Sequence, residues 1–485
     1  MKKDMTQGRE AKLIFFFTLP IMAANLLQQL YNTTDNVIVG QYVNDTAFAA
    51  VASTSSLTFL YIALAMGLSV GCSVVVSQLF GAKQMAKLNS AIDTSLILLA
   101  VFGVAMMGIF LALTPFMLNN ILNVPAENGL YALSKQYMLI YCIGLPFQFV
   151  YNAIASILRG VGDSKSPLIF LLITTLLNVA LDLWFVIGFH WGVVGTAIAT
   201  VIAQGVCVVI SYIYLRRKFP FIRGAQHFDP ALCKTLLKIG LPTAIQQSVV
   251  AIGNMGLQRL VNSFGETVMS AYGAGVRITN FVFIPILGFQ QGLASFTGQN
   301  IGANRFDRVR RGFHATLVMG IAATAIVCVT MYLAAHQILQ VFGIAQSAVE
   351  IGIVMVRFYA KVYIFFTIYM ILGGVLQGAG DTVLQSIATL TALALRVVLA
   401  YLGARVFFWY GPNAAWETNL YGWVAAAIIT YTRYLTGGWK KKAIVRASGH
   451  GALPADAPEL PDEPVPVVQS AQLAEESQAD NADNI

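Results

Sequence analysis

The sequence predicts an all-α polytopic membrane protein of twelve transmembrane helices, arranged as two six-helix bundles related by a parallel pseudo-two-fold repeat. Three observations carry this. Of 485 residues, 57% are hydrophobic and only 11% charged, with a mean hydropathy of +0.70, far from a soluble composition. Apolar segments recur from Leu13 to about Leu435, each of roughly 20 residues or more and so able to cross a ~30 Å hydrocarbon core as a helix. Two distant stretches, LRGVGDSKSP at 158–167 and LQGAGDTVLQ at 376–385, nearly copy each other, each between apolar runs.

In chain order the predicted spans are 13–39, 47–79, 91–119, 132–158, 167–189, 192–215, 232–262, 268–298, 312–342, 350–377, 382–409 and 418–436. None alternates at a period of two, which disfavours a lipid-facing barrel; helices instead satisfy their own backbone groups in lipid. The first span follows Lys2, Lys3, Arg9 and Lys12 and has the look of a signal peptide, but the second half of the chain carries its counterpart. Assigning alternate connections and both termini to one side places 23 of the 30 Lys and Arg there, whereas QYVNDT, NVPAEN, GFHWG and NSFGET hold essentially none. That bias makes the basic side cytoplasmic, in a cell's inner membrane, with both termini inside. The net charge of +8 is thus an orientation signal and not a nucleic-acid footprint.

The repeat orders the domains. At an offset of 218, Gly160, Gly162 and Asp163 meet Gly378, Gly380 and Asp381; at 221, Gly67, Gly71, Gln78 and Gly81 meet Gly288, Gly292, Gln299 and Gly302; at 222, Pro20 meets Pro242. Matches in one order over each half speak for duplication. An even number of spans per half makes the repeats parallel, with the substrate path between them. The expected boundaries are 1–215 for the first lobe, 216–230 for a basic cytoplasmic linker, 231–437 for the second lobe and 438–485 for an acidic, disordered cytoplasmic tail.

Enzyme chemistry finds no support. GLSVG at 67–71 matches a nucleophile motif but lies within an apolar helix, where Gly67 and Gly71 read as close packing. The five cysteines and five histidines show no ligand spacing, and there is no P-loop. The Gly-x-Gly-Asp turns serve geometry, with Asp163 or Asp381 capping the next helix or pairing with a nearby cation.

The Asp in TTDNVIVGQ on the first span, RGVGDSKSP after the fourth, NVALDLWFV on the fifth and the 6+6 repeat together resemble the multidrug and toxic compound extrusion (MATE) transporters, over roughly residues 10 to 440. The resemblance implies a cation-coupled antiporter: efflux of small amphipathic compounds or drugs by alternating access, driven by inward H+ or Na+. No organic cofactor and no ATP are expected, and the protein is read as a monomer in the bilayer. The rival is a flippase for lipid-linked precursors from the same broad superfamily.

A carboxylate in hydrocarbon is costly and reads as functional by default. Asp35 on the first span and Asp182 on the fifth both fall in the outer half of the bilayer. Asn178 lies at i−4 from Asp182 and shares its face, and Thr200 enters from the sixth span at similar depth. These groups offer oxygens for Na+ at Asp35, Asp182 and Asn178, or a hydrogen-bonded pair that holds a proton. The bland alternatives are an interfacial cap for Asp35 and a structural polar contact for Asp182 with Asn178. The resemblance adds Asn152 to the cluster and implies that the first helix bends near Pro20 as its acid changes protonation. Pro242 at the matching point suggests that the bend belongs first to the fold. The second half does not copy the acids: Leu257 and Arg396 stand at the repeat positions of Asp35 and Asn178. Arg277, Lys361 and Arg396 instead fall near mid-membrane, where each must face a cavity, a partner or water; the bland alternative for Arg277 is a structural bond to backbone carbonyls, and as cavity cations the three suit a zwitterionic or anionic aromatic cargo as well as a cationic one.

Overall fold

In the computed structural model, the structure describes residues 4–43, 45–122, 124, 129–218, 228–405 and 411–444, and the side chains of 31–37, 45 and 405 lie outside that description. The predicted tail from 445 and most of the linker, 219–227, therefore fall outside it. The first six spans are α1 (Glu10–Tyr42), α2 (Asp45–Gly81), α3 (Met85–Phe116), the pair α4 (Leu130–Ile143) and α5 (Leu145–Gly160), α6 (Lys165–Leu183) and α7 (Gly192–Lys218). The second six are α8 (Pro230–Asn262), α9 (Glu266–Gly302), α10 (Phe306–Leu333) with the short α11 (Ala335–Gln340), α12 (Gln346–Gly378), α13 (Thr382–Arg405), and α15 (Asn419–Leu435) after the short α14 (Ala414–Glu417). Among the described residues, ten of these helices are long and apolar enough to cross a membrane alone, and the α4/α5 pair makes an eleventh. The 17 residues of α15 complete twelve.

Local sequence explains the starts and breaks. At the head of α8, Asp229 accepts from the backbone N–H groups of Ala231 and Leu232 at 2.8 and 3.2 Å, and Pro230 occupies the first helical position, whose N–H has no partner anyway. The fourth span bends by 46° between α4 and α5, where Gly144 and Pro146 interrupt it. Proline removes a donor and crowds the preceding turn. At the repeat offset the second lobe carries Val362 and Ile364, and α12 runs straight through.

The two Gly-x-Gly-Asp turns are built alike. Gly162 and Gly380 sit at φ +85° and +82°, a left-handed conformation that favours glycine. The following Asp163 and Asp381 donate their N–H groups to Leu158 and Leu376 at 2.8 and 2.9 Å. Each buried carboxylate then ties the turn to the end of the last span of its own lobe. Lys218 Nζ reaches Asp163 at 2.7 Å, and Arg433 Nε reaches Asp381 at 2.7 Å. Asp163 also accepts from the Ser166 N–H and hydroxyl at the start of α6. Burial alone would raise the pKa of Asp163, but its hydrogen bonds from Lys218 and Ser166 outweigh this and hold the carboxyl below its usual range. A depressed native pKa contributes stability above the unfolded value and loses it as pH falls through the folded one. Asp163→Asn is therefore expected to melt several degrees below wild type at neutral pH, in detergent thermal scans. The gap should close as pH drops below about 4.

The lobes exchange the first halves of their first helices. Ile14, Phe17 and Ile21 of α1 pack with Phe289, Leu293 and Val375 of the second lobe. Conversely, Leu236, Ile239 and Ala244 of α8 join the core of α2, α3 and α5. Each lobe is thus completed, at the basic end, by a helix of the other.

Candidate functional site: a buried polar cluster and the seal between the lobes

The first-lobe cluster forms where α6 and α7 meet. Asp182 and Asn178 are fully buried on one face of α6, and Thr200 of α7 is 5% exposed. Asn178 Nδ2 donates to Thr200 Oγ1 at 3.4 Å. Asp182 stands about 26 Å along the helix axis from Lys165 at the basic end, so it lies toward the opposite face of the membrane. Immediately after it the chain makes a π turn, Trp184–Gly188, a distortion that recurs at functional positions. Trp184, Phe185, Phe189 and Trp191 close over this end, with Phe185 and Trp191 centroids 5.1 Å apart. Such aromatics belong at the headgroup level, which sets Asp182 about one turn beneath it. Asn152 of α5 donates to the Gln148 carbonyl of its own helix at 2.8 Å. Asp35 belongs to α1, but its side chain lies outside the described residues.

The second lobe uses the same place for opposite chemistry. Arg396, at the repeat position of Asn178, donates to the Asn419 side-chain oxygen at 3.0 Å and to that of Asn254. Asn419 in turn donates to the Tyr359 hydroxyl at 3.1 Å. A guanidinium held by two amide oxygens stands where the first lobe has the Asn178 amide, and the buried Ala400 falls at the repeat position of Asp182. Arg277 lies on the face of α9 that carries Phe281, Gly288 and Gly292 at helical spacing. A Cβ on Gly288 would meet Met22, and one on Gly292 would meet Thr18, both in α1. Beyond those contacts the face opens, with Phe281 52% exposed and Arg277 exposed. Lys361 does not join these two: it lies exposed beside Tyr332 of α10, on the side of α12 opposite the lobe interior.

The glycines and glutamines of α2 and α9 matched by the repeat lie at the contact between the lobes. A Cβ added at Gly81 would fall 1.9 Å from the Gln299 carbonyl oxygen, and one at Gly302 1.9 Å from that of Gln78. At Gly67 it would lie 2.3 Å from Ala244 Cα, and at Gly71 2.5 Å from the Leu236 oxygen. The helices therefore meet backbone to backbone. Two buried glutamines lock this seal with crossed hydrogen bonds. Gln78 Nε2 donates to the Gly378 carbonyl at 3.0 Å, and Gln299 Nε2 donates to the Gly160 carbonyl at 2.9 Å. The remaining oxygen of each is taken by backbone outside the spans: the Met5 N–H donates to Gln299 at 3.0 Å, and the Ile444 N–H to Gln78 at 2.8 Å. Met5 is itself fully buried, with Arg308 donating to the nearby Gly8 carbonyl at 2.9 Å. Sequence reading aligned Gln78 with Gln299 but gave the pair no role, and no periodicity in MKKDMTQGRE marks it as a strap.

A chain of this build, two copies of one six-helix bundle with a buried acid in one and a seal at one end, is a polytopic membrane transporter. A family model described as MatE matches residues 20–184 and 242–402, one range in each lobe. The chain belongs to that family, the MATE transporters. It is 28% identical over 447 residues to the probable multidrug resistance protein YoeA of Bacillus subtilis (strain 168), covering 89% of this chain and 94% of the relative. It is 23% identical over 444 residues to the probable multidrug resistance protein NorM of Thermotoga maritima, covering 90% and 94%. A solved structure described as the outward-facing conformation of a multidrug resistance MATE family transporter matches with a TM-score of 0.82 at 24% identity, over 90% of this chain and 98% of that one. A Pyrococcus furiosus transporter of the MOP superfamily, described as having a binding pocket of reverse polarity, matches with a TM-score of 0.82 at 23% identity over the same shares.

Proposed function

We propose that the chain is a secondary active exporter that exchanges small amphipathic organic compounds for inward H+ or Na+ by alternating access. The observation that carries this reading is the buried Asp182–Asn178–Thr200 cluster, set in a lobe sealed against its twin at the basic end. A carboxylate, an amide oxygen and a hydroxyl suit either a proton or a hard cation. Asp35 enters this proposal on its sequence position alone. Occupation of the cluster is relayed to the seal through α1, whose Pro20 permits a bend and whose first half belongs to the other lobe's core. The positive-inside bias makes the basic end cytoplasmic, with both termini inside the cell's inner membrane. A single copy supplies both lobes, and an ion gradient supplies the energy without a nucleotide.

Arg277 and Arg396 of the second lobe shift the expected cargo toward zwitterions and anionic aromatics. They also favour, as a second reading, a lipid-linked anionic precursor. Vesicles reconstituted with the full chain separate the two. Accumulation of a fluorescent aromatic dye against its gradient when a pH or Na+ gradient is imposed, abolished by an ionophore, is the expected result. Absence of any gradient-driven dye movement overturns it, and flipping of a lipid-linked sugar in the same vesicles would select the second reading.

A further inference from the structure

The second lobe carries a groove that the transport cycle does not use. It holds about 300 Å³ between α10 and α12 and is lined by Ile321, Ala325, Val329, Leu333 and Ile364, with Tyr332 and Lys361 at one end. Val329 and Leu333 are 57% and 70% exposed on its rim. The lobe interior lies on the opposite side of α12, where Tyr359, Tyr363 and Phe366 pack around Trp423. The groove therefore faces lipid. Tyr332 lies about 37 Å along α10 from Asp307 at the basic end, and Ile321 about 16 Å back from Tyr332. The groove thus spans close to one leaflet of a ~30 Å core, and its polar end meets the far headgroups.

Two cations stand at that end. Arg357 lies 5.3 Å and Lys361 5.8 Å from the centroid of the Tyr332 ring. Among the described residues neither forms an ion pair. The acids of the two helices are Asp307, which pairs with Arg311 at the basic end, and Glu350, which pairs with neither cation. The fold does not require these charges: at the repeat offsets the first lobe carries Leu111, Leu139 and Ile143 in place of Tyr332, Arg357 and Lys361. Exposed cations in a lipid-facing wall are costly without an anion, and headgroup anions attract Lys and Arg at this depth.

We propose that the groove binds an anionic phospholipid of the leaflet opposite the basic end, its phosphate between Arg357 and Lys361 and one acyl chain along Ile321–Leu333. Charge fixes the headgroup, and the length of the apolar channel fixes the chain. The full-length protein in detergent, titrated with phosphatidylglycerol or phosphatidylcholine and read by native mass spectrometry, tests this. Wild type is expected to retain phosphatidylglycerol about tenfold better, a step of about 1.4 kcal/mol. The Arg357→Gln/Lys361→Gln protein should lose that preference, and Val329→Trp, which fills the channel and keeps both charges, should lose retention altogether. Inorganic phosphate at millimolar concentration should not displace the lipid. Equal retention of the two lipids by wild type, unchanged preference in the double variant, or displacement by free phosphate overturns the proposal. Phosphatidylglycerol should also raise the melting temperature of wild type and not of a folded double variant; an equal rise in both counts against it. These readouts involve no transport, so their failure and the failure of the exporter reading are distinguishable.

Discussion

Gly302→Ala is expected to insert into the membrane and yet fall at least tenfold in export. The added Cβ would stand 1.9 Å from the carbonyl oxygen of Gln78, and its next neighbours, Gln78 C and Ala82 N at 2.8 and 2.9 Å, are also backbone. No rotamer relieves a clash between two helix backbones, so the ends of α2 and α9 must part. Parting them stretches the crossed bonds of Gln78 to Gly378 and Gln299 to Gly160 and frees two buried amides, each of which costs about 1–3 kcal/mol when left unpaired. Gly81→Ala, the repeat-related change, should do the same. Gly108→Ala is the control, because nothing lies within 4 Å of its added methyl and alanine favours the helix. Wild-type export by both glycine variants would show that this seal is not part of the cycle.

That prediction depends on features the sequence showed only in part. Hydropathy located all twelve spans, because it marks the segment of each helix inside hydrocarbon. It placed the ends of α9 short, at 268–298 against Glu266–Gly302, and the extra turn at the basic end is where the seal forms. The predicted ninth span, 312–342, is two helices, with α10 ending at Leu333 and α11 starting at Ala335. The repeat was legible residue by residue, and its glycines on α2 and α9 proved to be contacts between lobes because identical helix ends must meet across a pseudo-two-fold axis. Asn178 and Asp182 were legible through i, i+4 spacing on one helix. Lys361 was not: hydropathy leaves a residue's direction around the helix open, so a lipid-facing cation and a cleft-facing one read alike. The straps at Met5 and Ile444 bind through backbone N–H groups, which carry no sequence signature.

Asp182→Asn is expected to abolish gradient-driven export, by about a hundredfold or more, while the protein still folds and binds cargo. The substitution keeps the volume of the side chain and its capacity to accept one hydrogen bond, so the packing among Asn178, Thr200 and the aromatic cap is preserved. It removes the titratable charge, and with it the only change of state that a proton or a sodium ion could impose at this position. Thr200→Val, which removes the hydroxyl that accepts from Asn178 at 3.4 Å, should reduce export several-fold without eliminating it, because the acid remains. Arg396→Gln should behave differently again, altering which dyes are exported and leaving the coupling stoichiometry intact, since its guanidinium lies in the other lobe with Asn254 and Asn419. The measurement is dye accumulation in vesicles under imposed pH and Na+ gradients, paired with equilibrium dye binding in detergent. If Asp182→Asn exports at the wild-type rate under both gradients, the buried cluster is a structural contact between α6 and α7, and the coupling site must be sought elsewhere in the first lobe. If it loses dye binding together with export, the acid belongs to the cargo site and not to the ion's.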